Sequence, residues 1–389
     1  MRVLLVSSRF PLPPWRGNQL RTVQWLDALT EHRCLLVCPG PDADTESATL
    51  AAEIRTLPGV GAGGVARAGV AAARGRPAQE GLYDSRRARR VVADAVRDWR
   101  PDVAVIQMVR CGWAAGAVAS VDPDVPLLFD AIDCMAMHYE RTAAAAPVGL
   151  RTAYRLEARR CRRREAELVR QAALSCAVSS RDLSALGAAP TGRVVPVAGS
   201  VGSSADPRWS GEPVVLLSGN LGYRPTVRAA LWFADCVWPG VRRRVPAARW
   251  LLAGARPAPA VRRLADRPGI EVHGDVDDLA SFLGRARLAI APMTTGSGVP
   301  LKIVEALAAG VPVVADPWPA AGLEDPSAVV AADGDAAWLE AVVGLLEDAE
   351  AVRRQRALGL ETWRAHYHPE RIRQRIRDAV ESAAGSVER

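Results

Sequence analysis

The chain has 389 residues, 49% of them hydrophobic, with a formal net charge of +7, a length that exceeds what one hydrophobic core organises and so predicts two domains of roughly 180 to 200 residues. The charge is modest and spread out, without an aromatic-interleaved basic platform, which excludes a dedicated nucleic-acid binder and favours an anionic small substrate or a weak membrane-surface preference. Seven cysteines without a CxxC pair and a start too short for a signal-peptide core point to a reducing, cytoplasmic setting, and no apolar run approaches the roughly eighteen residues of a membrane span.

Short β-rich runs alternate with amphipathic helical stretches from end to end, so the fold class is α/β, a parallel sheet covered by helices. In the first half the expected strands are residues 2–7, 33–38, 103–107, 126–130, 174–179 and 193–197. Between the fourth and fifth of these, residues 150–174 read as a helix. It carries Arg151, Arg155, Arg159, Arg160, Arg162, Arg163, Arg164 and Arg170 opposite a stripe of Tyr154, Ala158, Cys161 and Leu168. That charged side is read as a solvated face, with docking on anionic lipid or on an acidic acceptor as the alternative.

A polar glycine- and serine-rich connector at 199–207 breaks the pattern, which restarts with strands at 214–218, 250–253, 270–273, 288–291 and 311–315. At the end, Ile372, Ile376, Val380 and Ala383 recur at helical spacing. The expected organisation is two doubly wound, Rossmann-like domains, residues 1–198 and 199–370, facing a cleft at their strand carboxyl ends. A helix in 371–389 returns to the first domain.

Of the fifty basic side chains only one is a lysine, Lys302, and it lies in Thr294-Thr295-Gly296-Ser297-Gly298-Val299-Pro300-Leu301-Lys302-Ile303-Val304-Glu305-Ala306. An ammonium is a compact charge on a thin stem and reaches a crowded oxygen that a flat guanidinium does not. Gly296 and Gly298 let backbone amides approach a ligand, Pro300 suits the first turn of a helix, and Gly310 with Pro312 ends it after about three turns. The helix entry, with Val299, Pro300 and Leu301, is a ready site for phosphate. Glu305 shares a face with Lys302, and its carboxylate can accept both hydrogens of a ribose diol. Diphosphate next to ribose is what a nucleotide-activated donor presents, the alternative being an ordinary strand-loop-helix connection with Lys302 and Glu305 as a solvated pair. The GxG alone does not carry the reading, because Leu301 stands where a dinucleotide fingerprint needs its third glycine.

Ser218-Gly219-Asn220-Leu221-Gly222-Tyr223-Arg224 is a second strand-to-helix turn able to face phosphates, with Arg224 placed to neutralise them. Ala253-Gly254 and His273-Gly274-Asp275-Val276 end successive strands, where a base could be held by backbone groups or where plain turns would serve. The carboxylate pairs Asp122-Pro123-Asp124 and Asp275-Val276-Asp277-Asp278 read as turn and cap residues rather than Mg²⁺ ligands. His138, His366 and His368 are too isolated for a metal set.

In this order, the Ser218-Gly219-Asn220 turn, residues 250–254, His273-Gly274-Asp275 and the block 298–314 resemble the nucleotide-binding domain of GT-B glycosyltransferases of the family 4 type. The loop Pro11-Leu12-Pro13-Pro14-Trp15-Arg16-Gly17-Asn18-Gln19-Leu20-Arg21 is similar to one in a bacterial sugar-transferase branch of that family. The resemblance covers nearly the whole chain. It implies a retaining, metal-independent transfer with no cofactor and no enzyme nucleophile, in which the leaving phosphate helps deprotonate the acceptor. It places Asp133, after Asp130-Ala131-Ile132, near the donor sugar, although an aspartate after a strand is equally a helix cap. Two departures stand out. Ser297 replaces the first of a paired-glutamate motif, and Asn220 replaces an arginine that commonly follows the first-turn glycine.

The expected assignment gives the diphosphate to Lys302 and Arg224, the ribose to Glu305, and the donor sugar to Ser297 and Gly298. Gly17 and Asn18 line the cleft. Arginine- and alanine-rich coding suggests a high-GC bacterial source, with a cell-envelope glycan, a lipid precursor or a natural product as acceptor. The alternatives are a nucleotide-sugar epimerase or hydrolase of the same fold, and a silent nucleotide-sugar-binding protein.

Overall fold

Strands buried on both faces need apolar runs rather than alternation, and runs such as Val3-Leu4-Leu5-Val6 and Val214-Val215-Leu216-Leu217 supply them. The computed structural model describes residues 1–14, 16–40, 53–188, 192–199, 212–293 and 298–386. They divide into two compact units, unit 1 spanning Met1–Val197 and Pro369–Arg389, unit 2 spanning Ala198–His368. The expected connector beyond Gly199 lies outside the described residues.

Unit 1 holds a parallel sheet of β1 (Arg2–Val6), β2 (Arg33–Pro39), β3 (Glu53–Leu57), β4 (Val103–Gln107), β5 (Leu127–Ile132), β6 (Leu174–Ala177) and β7 (Arg193–Val194). Its order is β3-β2-β1-β4-β5-β6-β7. Because the order reverses between β1 and β4, loops from these two neighbouring strands open at one carboxyl edge, where open α/β sheets take ligands. β3 escapes the sequence pattern because an edge strand buries little: of Glu53-Ile54-Arg55-Thr56-Leu57 only Leu57 is buried.

The arginine-rich stretch forms the helix Val148–Gln171. Ala158, Cys161 and Leu168 are buried, but so is Arg164, which was expected on the solvated face. Its Nε donates to Glu80 Oε1 at 2.9 Å and its Nη2 to the Gly112 carbonyl at 2.7 Å. A guanidinium enters a core only with such partners, and the partners come from elements far away in sequence. The final helix, Pro369–Ala384, buries Ile372, Ile376, Val380 and Ala383 and packs on the helix Gly17–Ala28, where Arg373 Nε donates to Asp27 Oδ2 at 2.7 Å.

Unit 2 repeats the architecture with β8 (Val214–Ser218), β9 (Arg249–Gly254), β10 (Ile270–Gly274), β11 (Leu288–Ala291), β12 (Val313–Ala315) and β13 (Val330–Ala331), in the order β10-β9-β8-β11-β12-β13, all parallel. Side chains alternate between two core layers: Val215 and Leu217 face one, Val214 and Leu216 the other. β13, two residues long, is too short for a periodic signal. No described helix is long and apolar enough to cross a membrane.

Candidate functional site

The turns leaving β8 and β9 are built on each other. The Gly219 amide donates to the Ala253 carbonyl at 3.1 Å, and a Cβ added to Gly254 (φ 153) would stand 1.8 Å from the Gly219 carbonyl oxygen. Only glycine fits there. Across the turn, a Cβ on Gly219 (φ 111) would lie 3.6 Å from Lys302 Cε and 3.8 Å from Nζ. The bare glycine backbone therefore forms the floor on which the lysine tip rests.

Lys302 is half-buried as a residue, but its Nζ is fully enclosed and has no hydrogen-bond partner among the described residues. Burial lowers its pKa from 10.5 to about 8, and the nearby Glu305 carboxylate offsets part of that. An enclosed ammonium lacking a partner is costly unless a ligand completes it.

The helix carrying it, Leu301–Ala308, has eight residues, about two turns rather than the expected three, because Ala309 and Gly310 (φ 66) already form its terminal turn. Pro300 precedes the helix as N-cap instead of occupying its first turn, with extended ψ of 124, and no described side chain caps the first amides. Those amides and the helix dipole reinforce the positive charge of Lys302. Gly298 (φ 68) turns the chain into the helix, and Val299 is half-buried against the core. Gly296 and Ser297 lie outside the described residues.

Glu305, one turn on, is 7% exposed. A Cβ on Gly199 would lie 2.6 Å from its Cγ, so this glycine, read from sequence as part of a connector, shapes the glutamate's position. No local signal reveals that: the residues are distant in sequence and meet only in the fold.

Asn220, standing where the resembled family often has arginine, closes its own turn by accepting from the Gly222 amide at 3.0 Å. Arg224 begins the helix Arg224–Trp232 and is exposed. At the end of β10, His273 Nε2 lies 3.3 Å from Glu271 Oε2 and its ring 5.0 Å from that of Phe282, while Gly274 abuts Pro257. Asp275 donates its amide to the Gly254 carbonyl and accepts from the Arg256 amide, both at 2.7 Å. Val276 packs on the core, and Asp278 caps the next helix through the Ser281 amide. The carboxylates here close turns.

In unit 1, Gly17 opens the helix Gly17–Ala28 and is exposed; the Asn18 carbonyl lies 3.0 Å from Thr22 Oγ1. Asp133 follows a bulge in β5 where Ile132 has φ 64. Capping of the next helix, Met135–Ala145, falls instead to two carboxylates from elsewhere. Glu165 accepts from the Met135 and Ala136 amides at 2.7 and 3.1 Å, and Asp182 from the Cys134 amide at 3.0 Å. Also unforeseen is a buried network in which Arg21 pairs with Asp130, Asp130 accepts from Gln107, and Gln107 accepts from Thr22. A hint existed, since Asp130 is the only charged residue in β5 and a buried charge needs a partner.

Residues 212–348 match the family model of glycosyl transferases group 1. No curated protein matches the sequence. Among solved structures, sucrose-phosphate synthase from Thermosynechococcus elongatus superposes with a TM-score of 0.72 at 16% identity, covering 97% of this chain and 98% of that one. HepE of Anabaena, in complex with UDP and glucose, gives 0.68 at 14% identity, covering 98% and 100%. An α,α-trehalose-phosphate synthase (UDP-forming) from Burkholderia vietnamiensis gives 0.66 at 13% identity over 99% and 100%. Residues 212–348 thus carry a glycosyl transferases group 1 domain, and nearly the whole chain shares the two-sheet GT-B fold of these structures.

Proposed function

We propose that the chain moves a sugar from a nucleotide-sugar to an acceptor hydroxyl, with retention of anomeric configuration and without a metal ion, in the manner of the family 4 type. The observation that carries this reading is the enclosed, unpartnered Lys302 ammonium over the Gly219 turn at a helix N-terminus. Breaking the bond between the anomeric carbon and phosphate leaves negative charge on the diphosphate, and Lys302, the helix amides and Arg224 are the groups to stabilise it. Glu305 takes the ribose hydroxyls, the ends of β9 and β10 the base, and Ser297 with Gly298 the sugar. Asp133 orients the sugar or the acceptor. Solved neighbours in complex with UDP and with UDP-glucose support a nucleotide-sugar donor.

The acceptor is an envelope glycan, a lipid-linked precursor or a natural product. Val148, Leu150 and Leu156 are exposed on the arginine-rich helix, which supports peripheral contact with an anionic membrane. All seven cysteines are free, as a reducing compartment requires. The test is donor turnover across a panel of nucleotide-sugars. Release of nucleoside diphosphate only when an acceptor is present is the expected result, and release without any acceptor would favour hydrolysis.

A further inference from the structure

Three arginines of unit 1, Arg9, Arg16 and Arg110, lie near one another, and none forms an ion pair among the described residues. Arg9 follows the end of β1 by three residues and Arg110 the end of β4 by three, and the two strands are neighbours, so both side chains leave one carboxyl edge of the sheet. Arg16 is the N-cap of the helix Gly17–Ala28, whose first turn holds no acidic residue and whose amides no described side chain caps. The Nε atoms of Arg9 and Arg110 are enclosed and lack a hydrogen-bond partner among the described residues. Burial, then the charges of Arg16 and Arg110, lower the Arg9 pKa. Of the carboxylates in the vicinity, Asp130 is engaged by Arg21 and Asp84 by Arg89. Tyr83 lies within electrostatic reach of Arg9, and His138, which also senses Asp133, within reach of Arg110.

Gathering like charges at a half-buried edge, with guanidinium nitrogens unpaired, is unfavourable unless an anion completes the set. A guanidinium fork matches the paired oxygens of an oxyanion, and an uncapped helix N-terminus adds amides of the same sign. Three cations call for more than a single negative charge, which a phosphate ester supplies. We propose that this edge of unit 1 binds a phosphate group of the acceptor, so that the acceptor is a phosphorylated sugar or lipid rather than a neutral alcohol. That the anion belongs to an acceptor rests on the transferase reading; the anion site itself stands on unit 1 alone.

The test is calorimetric titration of the full chain with glucose 6-phosphate, with dodecyl phosphate below its micelle concentration, and with glucose as neutral control. Wild type, Arg9→Gln/Arg110→Gln and Lys302→Ala are compared. Phosphate-ester binding that survives Lys302→Ala and falls about tenfold or more in the arginine double variant is the expected result. Binding that is insensitive to the double variant, lost with Lys302 alone, or matched by glucose would overturn the proposal. Preference for one ester over the other identifies a soluble or a lipid-borne phosphate. Removing mutually repelling, unpartnered charges should leave the melting temperature unchanged or raise it, whereas a structural role for these arginines would lower it. Arg9→Lys/Arg110→Lys, which keeps the charge and loses the fork, should retain part of the affinity. If phosphate esters bind as expected but none accepts sugar from any donor, the anion site stands and the transferase reading fails.

Discussion

Arg21 donates from Nε and Nη2 to both carboxylate oxygens of Asp130, at 3.0 and 2.8 Å, and neither side chain is exposed at all. The remaining nitrogen, Nη1, donates to the carbonyls of Val195 and Pro196, so one guanidinium ties the helix Gly17–Ala28 and β5 to the last segment of unit 1 before unit 2 begins. Arg21→Met leaves the Asp130 charge buried and unpaired and should cost about 3–5 kcal/mol. Arg21→Met combined with Asp130→Leu should cost clearly less than the sum of the single changes. Urea denaturation of the four proteins measures the coupling, and strictly additive losses would show that the two groups act separately.

Lys302 predicts a pH-dependent donor affinity. In the empty site its pKa is about 8, and an adjoining diphosphate raises it. Well below pH 8 the ammonium is present in both states and affinity is flat. Above about 8 each binding event takes up a proton, so affinity should fall by up to about tenfold per pH unit. A nucleotide-sugar is the proper ligand, since its diphosphate does not titrate in this range. Lys302→Ala should bind much more weakly and show no such slope. Lys302→Arg should not restore full affinity, because the lysine tip already rests closely over the Gly219 backbone. A flat wild-type profile to pH 9.5 would remove the enclosed ammonium from the binding step.

Two glycines support that site in different ways. Gly254→Ala sets a methyl against the backbone oxygen of Gly219, which cannot retreat without unmaking the turn, so both stability and donor binding should fall, the former by about 3 kcal/mol or more. Gly199→Ala instead presses on the Glu305 side chain. Its expected signature is a donor affinity reduced about tenfold with a melting temperature close to wild type. Unchanged donor binding in Gly199→Ala would separate Glu305 from the donor.

Glu165 should make stability fall as pH rises through the acid range. Burial raises its pKa from 4.5 to about 7, against the opposing hydrogen bonds from the Met135 and Ala136 amides. Between those values the folded chain holds a proton that the unfolded chain has lost, so stability declines across the window and the penalty is complete above it. Glu165→Gln keeps a carbonyl acceptor for the amides and removes the titration. Relative to wild type it should gain on the order of 2 kcal/mol between pH 4.5 and pH 7.5. Parallel stability curves for the two proteins would contradict this.

What was legible in the sequence was whatever neighbouring residues determine. Glycines at strand ends, a lysine at a helix start and apolar runs of strand length marked the Gly219 turn, the Lys302 helix and most of both sheets. What stayed hidden depends on strand order and on distant partners. Arg9 and Arg110 meet because β1 and β4 are adjacent, Gly199 touches Glu305 only in the fold, and Arg164 reads as solvated until Glu80 is placed beside it. Helix length was overestimated for a local reason: Ala309 and Gly310 look like helix in composition but belong to its closing turn.

A surface basic through arginine alone leaves amine-directed reagents little to attack. Apart from the terminal α-amino group, the single primary amine is the Lys302 nitrogen, enclosed above the Gly219 turn and, with a pKa of about 8, substantially uncharged in mildly alkaline buffer. The extent of its acylation therefore becomes a one-residue record of how often that turn opens and of how well a bound donor shields it.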